Sequence, residues 1–155
     1  MQKARRAILL IGVSKTGGGL VSLQAVESGL DEMEDWAVAQ GIDDHDICRI
    51  SDEAGTKKVV LRDLIDWVTK MNNDLQVPQQ LIVYFSGHGF HGAGGDVWLL
   101  SDAPSYPSEA VSLFASEAGA RNSSFDHVVF ISDACRVPAD NIQFGYVMGT
   151  VSSPT

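Results

Sequence analysis

The stretch Leu81-Ile82-Val83-Tyr84-Phe85-Ser86-Gly87-His88-Gly89 governs the reading of the chain. Its first five residues are apolar without a break, the texture of a strand covered on both faces, and Pro78 interrupts the chain just before them. The last four are small residues around one histidine. Working outward, Ala7-Ile8-Leu9-Leu10-Ile11-Gly12-Val13 and Val128-Val129-Phe130-Ile131 repeat the continuous apolar texture, and Asp46-Ile47-Cys48-Arg49-Ile50-Ser51 gives a shorter strand. Between them, apolar residues recur three or four apart, as one face of a helix does. Leu20, Leu23, Val26, Leu30, Met33 and Ala37 predict a helix over 20–40, stopped by Gly41. Val60, Leu61, Leu64, Ile65 and Val68 predict a second over 57–71, capped by Thr56. A third is expected over 109–120, and Asp96-Val97-Trp98-Leu99-Leu100 reads as a small surface strand or hairpin arm. Buried strands alternating with helices predict an α/β fold, a mostly parallel sheet with helices on both faces. Residues 1–155 fit a single domain, with no internal repeat and a loose tail over 150–155.

Composition narrows the function. Apolar residues at 45% and charged residues at 20% provide for a packed core rather than disorder. The net charge of −9 excludes nucleic acid and anionic membrane as partners, because phosphates would be repelled over most of the surface. No apolar run approaches the roughly 20 residues that span a bilayer, and the basic residues at 3–6 precede no apolar stretch of secretory-signal length. Two widely separated cysteines form no disulfide framework, so the expected compartment is reducing and cytoplasmic.

In open parallel sheets, functional groups gather beyond the carboxyl ends of the strands. There the sequence carries Ser86-Gly87-His88-Gly89 and Asp133-Ala134-Cys135-Arg136. A histidine and a cysteine at neighbouring strand tips suit nucleophilic catalysis, since the imidazole takes the thiol proton and the thiolate attacks a carbonyl. Glycine on either side of His88 lets backbone approach closely, and the amides of Gly89 and Cys135 are candidates to hold an oxyanion. Other readings fare less well. His88, His91, Asp133 and Cys135 lack the closely spaced ligand pairs of a structural zinc site, so no metal is expected. Lys15 and Thr16 precede the glycines Gly17-Gly18-Gly19, whereas a phosphate-binding loop needs them after. Cys48 reads as packing, His45 and His127 as turn or solvated residues, and Trp36, Trp67 and Trp98 as packing rather than a platform for bases.

Tyr84-Phe85-Ser86-Gly87-His88-Gly89, followed about 50 residues on by Ile131-Ser132-Asp133-Ala134-Cys135-Arg136, resembles the large-subunit half of caspase-like cysteine peptidases. The similarity is greatest to bacterial caspase homologues and metacaspases, and it spans roughly residues 6–136. It implies a caspase-like three-layer sandwich with Cys135 as nucleophile, His88 as catalytic histidine and Gly89 in the oxyanion hole. It further implies that Asp133 lies on the floor of the pocket for the residue before the scissile bond. A buried carboxylate there favours arginine or lysine and repels aspartate, and arginine pairs with it as a planar fork.

The chain departs from that pattern in several places. Val137 stands where caspases have glycine, and the His-Ser-Gly continuation of metacaspases is missing. Residues 14–19 offer no clear second acid for the pocket, and Lys15 would oppose a basic substrate if it pointed inward. Asp96 and Asp102 are too sparse for a calcium site, so no cofactor is expected and calcium is not strictly required. Nothing after Asp140 resembles a small subunit, which makes the small-subunit portion of the same enzyme an expected partner beside a peptide substrate with Arg or Lys. Self-cleavage after a basic residue would not leave Thr155 as the last residue. The resemblance implies roles in zymogen activation, regulated cell death or antiviral defence. The rivals are a catalytically inactive caspase-fold interaction domain and a nucleotide-binding, receiver-like domain.

Overall fold

The computed structural model describes residues 3–135 and 137–138. In chain order the elements are β1 (Arg6–Gly12), α1 (Val26–Ala39), β2 (Ile47–Ser51), α2 (Leu61–Asn72), β3 (Gln80–Gly87), β4 (Gly89–Gly92), β5 (Gly95–Leu99), β6 (Ala110–Ser112), α3 (Leu113–Ala120), β7 (His127–Ala134) and β8 (Val137–Pro138). Four parallel strands form the main sheet in the order β2-β1-β3-β7, so the α/β expectation holds. A second sheet, β6-β5-β4-β8, is built on the antiparallel pairing of β4 with β5 and of β5 with β6.

Period-two alternation sends each strand's side chains to opposite faces. Ile8, Leu10, Ile82 and Tyr84 pack on one face with Leu30 and Ala37 of α1. Ala7, Leu9, Ile11, Leu81, Val83 and Phe85 pack on the other with Leu64, Val68 and Met71 of α2. Helices therefore cover both faces, which is why the strands read as unbroken apolar runs. Phe85 stacks on Trp98 with ring centroids 4.8 Å apart, and Trp98 Nε1 donates to Ser132 Oγ at 2.9 Å. Those contacts fasten the second sheet beneath the carboxyl ends of β3 and β7.

Several boundaries depart from the sequence reading. Helix α1 begins at Val26 rather than at 20. Gly18 and Gly19 adopt positive φ, the Leu23 amide closes the loop onto Ser14 O at 2.8 Å, and Leu20 packs under the second sheet instead of extending the helix. Helix α2 begins at Leu61 and is not capped by Thr56, whose hydroxyl donates to Glu53 O. The Leu61 amide instead donates to Glu109 Oε2 at 2.8 Å, a cap from a distant segment. The segment 109–120 divides into β6 and α3, the latter capped by the Ser112 hydroxyl. Trp98, Leu99 and Leu100 are buried, not on the surface, because the second sheet turns them onto the core. Strand β7, expected to be buried, alternates between half-buried and exposed, because it is the outermost strand of the sheet. The readings of Arg136 and of residues beyond Asp140 lie outside the described residues.

Leu30→Ala is expected to lower the free energy of unfolding by about 2–5 kcal/mol, measured by urea denaturation, because a fully buried side chain is lost to a cavity. Val38→Ala, at a position 55% exposed on the same helix, should change it by less than about 0.5 kcal/mol.

Candidate active site

The parallel register of β3 and β7 pairs Phe85 with Ser132, Ser86 with Asp133 and Gly87 with Ala134. His88 follows directly on one strand and Cys135 on the other, so the two occupy adjacent tips of one sheet. The approach is close. A Cβ on Gly89 would lie 2.9 Å from Val97 O, 3.0 Å from Ala134 Cβ and 3.1 Å from Cys135 O. Only glycine lets the chain leave His88 and enter β4 while passing the Cys135 backbone.

His88 is half-buried, and its Nε2 lies 2.6 Å from the main-chain oxygen of Val21. A carbonyl only accepts, so Nε2 carries the hydrogen and donates it. In the neutral ring, Nδ1 is then the unprotonated acceptor. In nucleophilic catalysis a third group commonly orients the base in this way. The Val21 carbonyl belongs to the loop between β1 and α1, which is held from several sides. The Val13 amide donates to Ser86 O at 3.0 Å and the Gly17 amide to Ala103 O at 2.8 Å. The amides of Ser14 and Lys15 donate to Oδ2 of the fully buried Asp52 at 2.8 and 2.9 Å. No side-chain pattern foreshadows this contact, because the orienting atom is main-chain.

Asp133 is exposed and not the buried carboxylate expected, because it lies on the outermost strand of the sheet, and its Oδ2 accepts the Tyr84 hydroxyl at 3.1 Å. Burial, then the hydrogen bond to Asp133 and the negative charge of Asp133, push the Tyr84 phenol up to about 12, so it remains a donor at neutral pH. Ser86, Asp133 and Tyr84 all lie on the α1 side of the sheet. Lys15 does not oppose Asp133: its aliphatic stem lies against Gly55, just beyond β2, while Asp133 is on β7 at the other edge of the sheet.

Cys135 is exposed with a free thiol. Cys48 is half-buried, and desolvation pushes its thiol up, which leaves it a poor nucleophile and fits a packing role. His91 does not join His88; its Nδ1 bonds Asp96 Oδ1 at 2.7 Å across the β4–β5 hairpin. Among the described residues, the one grouping with metal-ligand spacing is Asp43, His45 and Asp46. It borders a cavity of about 610 Å³ near the amino ends of β1 and β2, away from Cys135. Both oxygens of Asp46 are bonded to the Arg5 guanidinium, at 2.7 and 2.9 Å, so its carboxylate is engaged in an ion pair. The Gly17 amide, spent on Ala103 O, is not free to cradle a phosphate.

The chain matches no known family model and no curated protein. No helix among the described residues is long and apolar enough to cross a membrane.

Replacing Asp133 by Asn should bring the Tyr84 ionisation down from about 12 in an ultraviolet titration, because the negative charge beside the phenol is removed. The ordinary phenol value is 10, so in the wild type this group's stabilising contribution is full below pH 10 and is lost as pH rises through about 12.

Proposed function

We propose that this chain is the large-subunit portion of a caspase-like cysteine endopeptidase that cleaves peptide bonds after arginine, and secondarily after lysine. The observation that carries the proposal is the juxtaposition of His88 and Cys135 at paired strand tips, with His88 Nε2 donating to Val21 O. The Cys135 thiol gives its proton to His88 Nδ1, and the sulfur attacks the substrate carbonyl carbon. The amides of Gly89 and Cys135 steady the oxyanion of the tetrahedral intermediate. Collapse breaks the C–N bond as His88 returns the proton to the leaving amine, which leaves a thioester on Cys135. Water, deprotonated by His88, then hydrolyses the thioester and restores the thiol. Asp133 receives the cationic side chain before the scissile bond.

Helices on both faces of a mostly parallel sheet support a three-layer caspase-like sandwich. Strand β7 bonds only to β3 among the described residues, and its Val129 is 38% exposed. That edge favours addition of the small-subunit portion of the same enzyme. The same edge also favours the second reading, a catalytically inactive interaction domain. A reducing, cytoplasmic setting belongs to the proposal. Cys48 on β2 and Cys135 beyond β7 stand three strand spacings apart, roughly 14 Å, too far for a disulfide.

In the full-length protein, Cys135→Ala should abolish hydrolysis of Arg-containing fluorogenic peptides; equal turnover by the variant would exclude the peptidase reading in favour of the interaction domain. Asp133→Asn should weaken cleavage after Arg far more than it slows alkylation of Cys135 by a small electrophile, and a parallel loss of both would assign Asp133 to the fold instead of the pocket. Turnover should survive EGTA; loss on chelation with rescue by calcium would contradict the metal-free mechanism.

A further inference from the structure

Asp133 sits at the open edge of the sheet, yet its carboxylate is not left to rotate freely. Its Oδ2 accepts the hydroxyl of Tyr84, a residue buried under α1 on the neighbouring strand. Tyr84 reaches that oxygen along the α1 face of the sheet, from two positions before Ser86, the register partner of Asp133. The helix leaves space for it at one position. A Cβ built on Gly29, in the first turn of α1, would lie 3.0 Å from the Tyr84 hydroxyl, 3.8 Å from Ser86 Oγ and 3.9 Å from Asp133 Oδ2. The Gly29 amide itself is spent within the helix start, on Ala25 O. Three elements thus converge on one carboxylate: α1 through a missing side chain, β3 through a phenol, and β7 through the aspartate itself.

We propose that Tyr84 and Gly29 are specificity-determining positioning residues, which hold the Asp133 carboxylate in a fixed orientation for a guanidinium; the inference rests on the peptidase reading given above. With Oδ2 tethered to the phenol, rotation of the carboxylate is restrained, and Oδ1 is left for the substrate. A planar fork benefits from that preorganisation because both of its N–H groups must align at once. A lysine ammonium is a single point of charge with rotatable donors and gains less from it. The phenol therefore sharpens discrimination between arginine and lysine, and it does so without touching the reacting atoms.

The test uses the full-length protein with paired Arg and Lys fluorogenic peptides. Tyr84→Phe, which keeps the ring and removes only the hydroxyl, is expected to raise KM for the Arg peptide by about tenfold, in line with loss of a hydrogen bond to a charged group. The KM for the Lys peptide should rise less, by about twofold, so the ratio of the two kcat/KM values falls. Because the lost interaction is ground-state binding, kcat per titrated active site should be retained within about a factor of two. Gly29→Ala is expected to reproduce the effect by displacing the hydroxyl. Adding Gly29→Ala to Tyr84→Phe should then cost little more, since the atom it would displace is gone. A merely structural role predicts a different result: fewer titratable sites, with both KM values and the Arg-to-Lys ratio unchanged. That result, or additive losses in the double variant, would overturn the inference while leaving the peptidase reading standing. If the wild type alkylates at Cys135 but cleaves neither peptide, the peptidase reading itself falls and the inference with it.

Discussion

The parallel pairing of β3 with β7 is the constraint on which the rest of the molecule depends. Eight positions of continuous register, from Gln80 opposite His127 to Gly87 opposite Ala134, leave the two chains level as they exit the sheet. Level exits place the next residue of each strand, His88 and Cys135, at adjacent strand tips. A slip of one residue would reverse every side chain of β7, because the side-chain period of a strand is two. Ser132 would then leave Trp98, and Asp133 would leave Tyr84. The hydrogen bonds from Trp98 to Ser132 and from Tyr84 to Asp133, one on each face, both favour the observed register.

The two faces carry different work. On the α2 side, Phe85, Trp98 and the half-buried Phe130 form an aromatic stack and edge contact that anchors the second sheet. On the α1 side, Tyr84, Ser86 and Asp133 bring polar atoms to the same height. Burial of a polar group is costly unless it is bonded, and here the hydroxyl of the buried Tyr84 finds its acceptor in the exposed Asp133 carboxylate. The ring of Tyr84 still belongs to the apolar cluster beneath α1. One residue therefore serves the core with its body and the candidate pocket with its tip.

The loop between β1 and α1 joins these parts. Its amides rest on the buried Asp52 and on Ala103 O, which fixes the backbone well enough for the Val21 carbonyl to meet His88 Nε2. The same loop delivers the first turn of α1, and hence Gly29, over Tyr84. A rigid loop thus orients the imidazole at one point and leaves room beside the carboxylate at another. Asp52 lies at the far side of this arrangement, beyond β2, and acts through the backbone alone.

The strands and both sheet-covering helices were legible in the residues themselves, because an apolar run such as Leu81 to Phe85 and a three-to-four spacing such as Leu64 to Val68 are statements about burial that the chain makes locally. His88, Cys135 and Gly89 stood out for a related reason, since they lie just beyond such runs, where a parallel sheet presents its functional groups, whereas Asp133 stood out only through the resemblance to caspase-like peptidases. Other features became visible only in three dimensions. Leu20 and Leu23 matched helical spacing, but the glycines before them and the pull of the second sheet drew them into a loop. Glu109 capped α2 in place of Thr56, and Trp98 moved from a surface hairpin into the core. The Val21 carbonyl meets His88 and the Tyr84 hydroxyl meets Asp133 although neither atom carries a sequence signature. A local pattern records which residues prefer burial or a particular backbone shape; which atom ends up beside which is decided by the packing of segments distant along the chain, and orienting contacts are made at that level.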